Sequence, residues 1–125
     1  MRTVLFDPHP NCFEQVYAII QSIPRGKVLT YGMVSHILNR RLSAAAVGWA
    51  LNGLSNKTEG KYTMETVPWY RVINSQGKIS TKLPSNIIDK NGQTIKLQRI
   101  LLENEGIQFD DQTIDLSRYL YRPHI

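Results

Sequence analysis

TYGMVSHILNRRLSAAAVGWALNG, residues 30–53, holds two short helical patterns separated by a turn. Thr30 stands where a side-chain oxygen caps a helix, and Val34, Ile37 and Leu38 give that helix one apolar face. Residues 39–42 read as a brief turn, after which Ser43 caps a second helix running from Ala44 to Asn52 and stopping at Gly53. Two short helices across a tight turn are the pattern of a helix-turn-helix, a unit that docks on DNA. Plain helix–helix packing produces the same pattern. Gly48 and the alanines make the second helix thin enough for close approach to a neighbour.

Upstream, Phe13, Val16, Tyr17, Ile20 and Ile23 recur at helical spacing; Asn11 with Glu14 forms a capping box, and Pro24-Arg25-Gly26 ends the segment. Val28-Leu29 is a short extended link. Downstream, residues 55–66 are polar and read as a loop. Val72-Ile73 and Lys78-Ile79 read as two strands around the turn Asn74-Ser75-Gln76-Gly77, a hairpin able to act as a wing. Residues 82–92 are a polar connection. Ile95, Leu97, Ile100, Leu101 and Leu102 mark a further helix, closed at Glu105-Gly106. The expected fold class is α+β: one small winged-helix-like domain over residues 1–125, with its core at about 12–109 and an aromatic-basic tail at 110–125.

Composition bounds the function. The 125 residues carry 15 Lys+Arg against 10 Asp+Glu, a net charge of +5. Residues 1–99 hold 13 basic and 5 acidic side chains (+8), and residues 100–125 hold 2 and 5 (−3). A basic body suits a polyanion, because Lys and Arg on phosphates release condensed counterions. The single cysteine, Cys12, excludes an internal disulfide and Cys-rich metal sites; it is expected before the first helix, in a structural or surface role. His9, His36 and His124 lack ligand spacing, so no metal and no cofactor are expected. No apolar run is long enough to span a membrane, and the start MRTVLFDPHP has no signal-peptide run. A reduced, cytoplasmic monomer is expected, on the nucleoid in a prokaryote.

Residues 68–74, Pro-Trp-Tyr-Arg-Val-Ile-Asn, are the most informative stretch. Pro68 fixes the backbone and biases Val67 to an extended conformation, so Trp69 is held in one direction. A Trp there either packs in the core or lines a concave site where its face stacks on a flat ligand. With this stretch in view, the sequence resembles the DNA-binding domain of the 6-O-alkylguanine-DNA alkyltransferases, and more closely their non-catalytic relatives, the alkyltransferase-like proteins. The resemblance covers about residues 12–109. It is carried by Pro68-Trp69-Tyr70-Arg71-Val72 in place of Pro-Cys-His-Arg-Val, together with Ile23-Pro24-Arg25-Gly26-Lys27-Val28, Thr30-Tyr31-Gly32, Ala46-Val47-Gly48, Asn74-Ser75-Gln76-Gly77-Lys78-Ile79-Ser80 and Glu105-Gly106.

The resemblance implies no catalysis. The active enzymes attack with a thiolate made by the neighbouring His, whereas indole nitrogen is a donor only and Tyr70 replaces the His. Glu105 matches the last relay member and is expected to serve structure, paired with Arg71. It also implies docking of the helix-turn-helix in the minor groove, with Tyr31 pushing on the phosphate beside the lesion. The nucleotide then rotates into a pocket beside Pro68, Trp69, Tyr70 and Arg71, with Ile79 and Ser80 supplying backbone contacts to the base. One departure stands out. The family's arginine finger lies three residues before the Gly of Ala-Val-Gly, and Ala45 occupies that place three before Gly48. Arg40 or Arg41, in the preceding turn, is the candidate substitute. A second departure is the insertion 54–67, read as a lid, as a further DNA contact through Lys57 and Lys61, or as a plain surface loop, with the plain loop expected.

The expected function is therefore a non-enzymatic sensor. It binds double-stranded DNA containing 6-O-alkylguanine and flags it for nucleotide excision repair proteins. An active alkyltransferase and a sequence-specific winged-helix regulator reading the major groove stand as alternatives.

Overall fold

Helix α1, Pro10–Gln21, begins with proline at a first-turn position, where the missing N–H is no loss. The structure, a computed structural model, describes residues 10–54, 59–79, 86–88 and 94–122. The helix starts ahead of Asn11, so the expected Asn11–Glu14 capping box is not its N-terminus, and Cys12 lies inside the helix rather than before it. Val16, Tyr17 and Ile20 bury one face. The last turn tightens, with the amides of Ser22 and Ile23 reaching back three residues to the Ile19 and Ile20 carbonyls.

Strand β1, Leu29–Thr30, runs directly into α2, Tyr31–Ile37, whose first turn is capped by the Thr30 hydroxyl accepting the Met33 amide at 3.1 Å. The turn that follows is held by Ser35. Its carbonyl accepts the Arg40 amide at 2.8 Å, and its hydroxyl donates to the Leu42 carbonyl at 2.6 Å. Asn39 and Arg40 both take left-handed backbone angles, φ 56 and 62. Helix α3, Ala44–Gly53, starts on Ser43, whose hydroxyl accepts the Ala46 amide at 3.1 Å. Ala46, Val47, Ala50 and Leu51 are buried, and Tyr17 donates its hydroxyl to the Ala50 carbonyl at 2.7 Å. That bond fixes α3 on α1 and explains why a core residue carries a polar tip.

The strand expectations need correction. Val72–Ile73 (β2) does not pair with Lys78-Ile79; it pairs in parallel with β1, in the register Leu29↔Val72 and Thr30↔Ile73. All four of these residues are buried, as suits a parallel pair covered on both sides. The expected turn at 74–77 is present. The Asn74 side chain accepts the Gln76 and Lys78 amides at 2.9 Å each, closing a local Asx turn that leaves the strand edge to β1. Lys78 instead bridges Thr113. The antiparallel hairpin lies further on, β3 (Asn86–Ile88) against β4 (Thr94–Lys96), inside and after the segment taken as a polar connection. Ile95 thus sits in a strand, and α4 spans Leu97–Asn104, with Gln98 and Leu102 buried one turn apart.

Strands β5 (Phe109–Asp110) and β6 (Thr113–Ile114) form a second antiparallel pair, followed by α5, Leu116–Tyr119. The tail joins the core. Ile114 and Tyr119 pack with Val28, Ile73, Leu102 and Ile107, and Val28 exchanges backbone bonds with Tyr119 and Tyr121 at 2.9 and 2.8 Å. Gly77 is where this tail lands: its φ is +79, and a Cβ there would stand 2.7 Å from the Ile114 carbonyl oxygen. The other cluster gathers α1, α2 and α3 with Val67, Trp69 and Val72. The described part of the insertion is tied to it, because Tyr62 stacks at a tilt on Tyr17 and Gln21 donates to the Thr66 carbonyl at 3.1 Å.

Candidate nucleic-acid interface

Tyr31 opens α2 and Gly48 lies midway along α3. The Tyr31 ring carbon Cε1 is 4.0 Å from the place a Gly48 Cβ would occupy. The half-buried phenol thus lies beside the neighbouring helix at a distance where even a Cβ would make only an ordinary contact. Ala45 is exposed on α3 one turn before Gly48 and Trp49. Arg40 and Arg41 are exposed in the α2–α3 turn. Sequence reasoning grouped Tyr31, Arg40, Arg41, Ala45 and Gly48, and the structure brings Tyr31 and Gly48 into contact distance while setting both arginines at the entrance to α3. No carboxylate side chain occurs between Glu14 and Glu59, a span containing Arg25, Lys27, Arg40, Arg41 and Lys57. The helix pair therefore offers phosphates cations with no acidic competitor in its own sequence.

The second group is built on Pro68, with φ −75 and ψ 67, the angles of an inverse γ-turn. The Trp69 amide closes it on the Val67 carbonyl at 2.7 Å. A 3-10 turn, Trp69–Arg71, follows at once, so the chain folds back twice within four residues. This is how a short stretch aims Trp69 inward. The indole is 4 % exposed, packed in the first core cluster and edge-on to Tyr70 with ring centroids 5.8 Å apart. Of the two placements open from sequence, the described residues give the core one. Ile79 is half-buried next to the Lys78 bridge, while Ser80 and the following segment lie outside the described residues.

Tyr70, Arg71 and Glu105 form one network. Arg71 Nε is 3.1 Å from both Glu105 oxygens and its Nη2 is 2.5 Å from Oε2; Nη1 donates to the Ile23 carbonyl at 2.8 Å. Tyr70 donates its hydroxyl to Glu105 Oε2 at 3.1 Å, and the Gly26 amide donates to Oε1 at 2.9 Å. Gly26 has φ +84, the left-handed conformation that turns this amide toward the carboxylate. The side chains of Arg71 and Glu105 are 14 % and 2 % exposed. Burial alone raises a carboxyl pKa, but donors from Arg71, Gly26 and Tyr70 outweigh it and hold Glu105 below its ordinary value. Burial, then the Glu105 charge, pushes the Tyr70 phenol up. Arg71 is held above its ordinary value because its bonds to Glu105 outweigh burial. The pairing of Glu105 with Arg71 expected from sequence is present; the Tyr70–Glu105 hydrogen bond is an addition.

Two residues escaped the sequence analysis as site residues. Gln98, 1 % exposed, donates from Nε2 to the Tyr70 and Val72 carbonyls at 3.1 and 2.8 Å, tying α4 to the 3-10 turn. A glutamine among Leu97, Ile100 and Leu101 gives no sign of burial until its partners are placed. Trp49, 66 % exposed, had no role assigned to it within its helix; its position beside Gly48, off the Ala46–Val47–Ala50–Leu51 stripe, was the available signal.

A capped helix pair with no carboxylate in its own sequence, followed by a tightly turned Pro-Trp-Tyr-Arg stretch, defines a small helix-turn-helix domain suited to DNA. Residues 11–107 match the family model described as 6-O-methylguanine DNA methyltransferase, DNA binding domain, and the chain belongs to that family. It is 37 % identical over 110 residues to a DNA base-flipping protein of Vibrio parahaemolyticus, covering 87 % of this chain and 94 % of that one. With alkyltransferase-like protein 1 of Schizosaccharomyces pombe it shares 32 % identity over 116 residues, covering 89 % and 94 %. Its fold matches the crystal structure of S. pombe Atl1 in complex with damaged DNA containing O6-carboxymethylguanine, with a TM-score of 0.68, 30 % identity, and coverage of 98 % of this chain and 100 % of that chain. It also matches Mycobacterium tuberculosis OGT in complex with DNA, with a TM-score of 0.56, 28 % identity, and coverage of 78 % and 50 %.

Proposed function

We propose that the chain is a non-enzymatic sensor of 6-O-alkylguanine in duplex DNA. The observation that carries this is the occupancy of the Pro-Trp-Tyr-Arg turn: the place where the enzymes carry a thiol holds a buried indole, and the carboxylate of Glu105 is engaged by Arg71, Gly26 and Tyr70. Among the described residues no thiol stands in this turn, and the Glu105 carboxylate is committed to the network that holds the fold. Family membership and relatives solved on damaged DNA support the same substrate class.

In this proposal α3 enters the minor groove, Arg40 and Arg41 engage phosphates at its entrance, and Tyr31 presses on the backbone beside the lesion. The alkylated nucleotide rotates out of the stack toward the turn that Pro68 opens, whose buried Trp69 backs it from the core side. Extrusion costs a few kcal/mol, less when alkylation has already weakened the pair, and that difference is the source of selectivity. The bound complex then marks the site for excision by other proteins. Two duplexes differing by one 6-O-methyl group, the methyl carrying a radiolabel, test it. Tighter binding to the modified duplex with all label left in DNA is expected. Label on the protein means an alkyltransferase, and equal affinity with strong sequence dependence means a transcription regulator.

A further inference from the structure

We propose that Trp49 is the wedge that fills the gap in the base stack when the nucleotide leaves, in place of the absent arginine at Ala45; this rests on the lesion-sensing function proposed above. Among the described residues, Trp49 is the large apolar side chain left exposed, at 66 %. It cannot turn inward. The opposite side of α3 is committed to the core through Ala46, Val47, Ala50 and Leu51, and the Tyr17 hydroxyl holds the Ala50 carbonyl at 2.7 Å. Trp49 follows Ala45 by four residues, so both lie on one face of the helix. Helical side chains lean toward the N-terminus, which carries an indole at 49 back over the turn holding Ala45. Ala45 and Gly48 leave that space open, and Tyr31 borders it on the side of Gly48.

The surroundings select the occupant. A flat aromatic face suits either a protein pocket or a base. Arg40 and Arg41 stand in the turn ahead of the same helix, and no carboxylate side chain occurs from residue 15 to residue 58. Exposed cations in the turn ahead of a projecting ring match a stacked base next to a phosphate backbone. The indole adds stacking area without a charge, so it fills the gap without adding to counterion release.

The test uses the full chain, a plain duplex, and the same duplex with one 6-O-methylguanine beside a 2-aminopurine. Trp49→Ala is expected to lose about tenfold or more in affinity for the modified duplex, the range of one base–aromatic stack. Its salt dependence should match wild type, and its melting temperature should be unchanged because the residue is exposed. Trp49→Phe should keep most of the affinity. Ala45→Arg combined with Trp49→Ala should recover binding, now with a steeper salt slope. The 2-aminopurine should brighten more with Trp49→Ala than with wild type, as its stacking partner is gone. Discrimination intact in Trp49→Ala overturns the wedge alone, as does an equal loss on both duplexes. A DNA-free dimer that dissociates on Trp49→Ala assigns the indole to self-association and overturns it too. A wild-type chain that binds the two duplexes equally overturns the sensing function along with the wedge.

Discussion

The Tyr70 hydroxyl donates to Glu105 Oε2 at 3.1 Å, joining the 3-10 turn to the end of α4 across 35 residues of chain. A phenol held this way is a strut. It lends Glu105 a hydrogen bond, and its own proton becomes harder to remove.

Trp69→Cys is expected to show no methyl transfer, because a thiol beside a neutral phenol has no base and Glu105 remains engaged. Replacing a buried indole with a small side chain should also destabilise by about 3 kcal/mol. Transfer of labelled methyl to the single variant would falsify this account of the network.

Glu105→Gln should destabilise by about 3 kcal/mol at neutral pH, the low end for breaking a buried pair, since Arg71 keeps an edge toward solvent. The pH sign follows from the depressed pKa: the carboxylate's contribution is complete above its ordinary value of 4.5 and is lost as pH falls through the lower folded-state value. Urea melts from pH 7 to 3 should show an acid limb that is diminished in Glu105→Gln; an identical limb in both proteins refutes the assignment.

Arg40 sits at φ 62, where a non-glycine residue is strained by about 1 kcal/mol. Arg40→Gly should therefore raise or preserve the melting temperature while lowering DNA affinity and flattening the salt slope by about one ion. Reduced stability, or an unchanged slope, counts against a phosphate-binding role paired with backbone strain.

Tyr31→Ala should weaken binding to the modified duplex far more than it lowers the melting temperature. The ring is half-buried against Gly48 and does not belong to the fully buried set. Loss of folding on calorimetry assigns Tyr31 to the core instead.

Gly77→Ala should destabilise by more than about 1 kcal/mol, since it combines positive φ with a Cβ 2.7 Å from the Ile114 carbonyl. A melting curve matching wild type would show the tail contact to be dispensable.

Local chemistry was legible and long-range pairing was not. Thr30 and Ser43 cap their helices as their hydroxyls and neighbours dictate, and Gly106, at φ 90, closes the stretch after α4. The partner of Val72–Ile73 was misassigned because Asn74-Ser75-Gln76-Gly77 is a true turn signal; nothing local says that its strand pairs with residues more than forty positions earlier. The burial of Gln98 was hidden for the same reason, its two acceptors being 28 and 26 residues away. The Arg71–Glu105 pair was reachable from the family resemblance. The contribution of residues 113–121 to the core was not, because their aromatic and basic composition reads equally well as a surface tail.

The parallel contact of Leu29–Thr30 with Val72–Ile73 links the start of α2 to the Pro68 turn through a buried ladder. Tyr31 leaves one strand and Trp69-Tyr70-Arg71 lead into the other, with a single ladder between them. In the proposed sensor, a load on Tyr31 therefore meets the Pro68 turn through this buried ladder rather than through a loop.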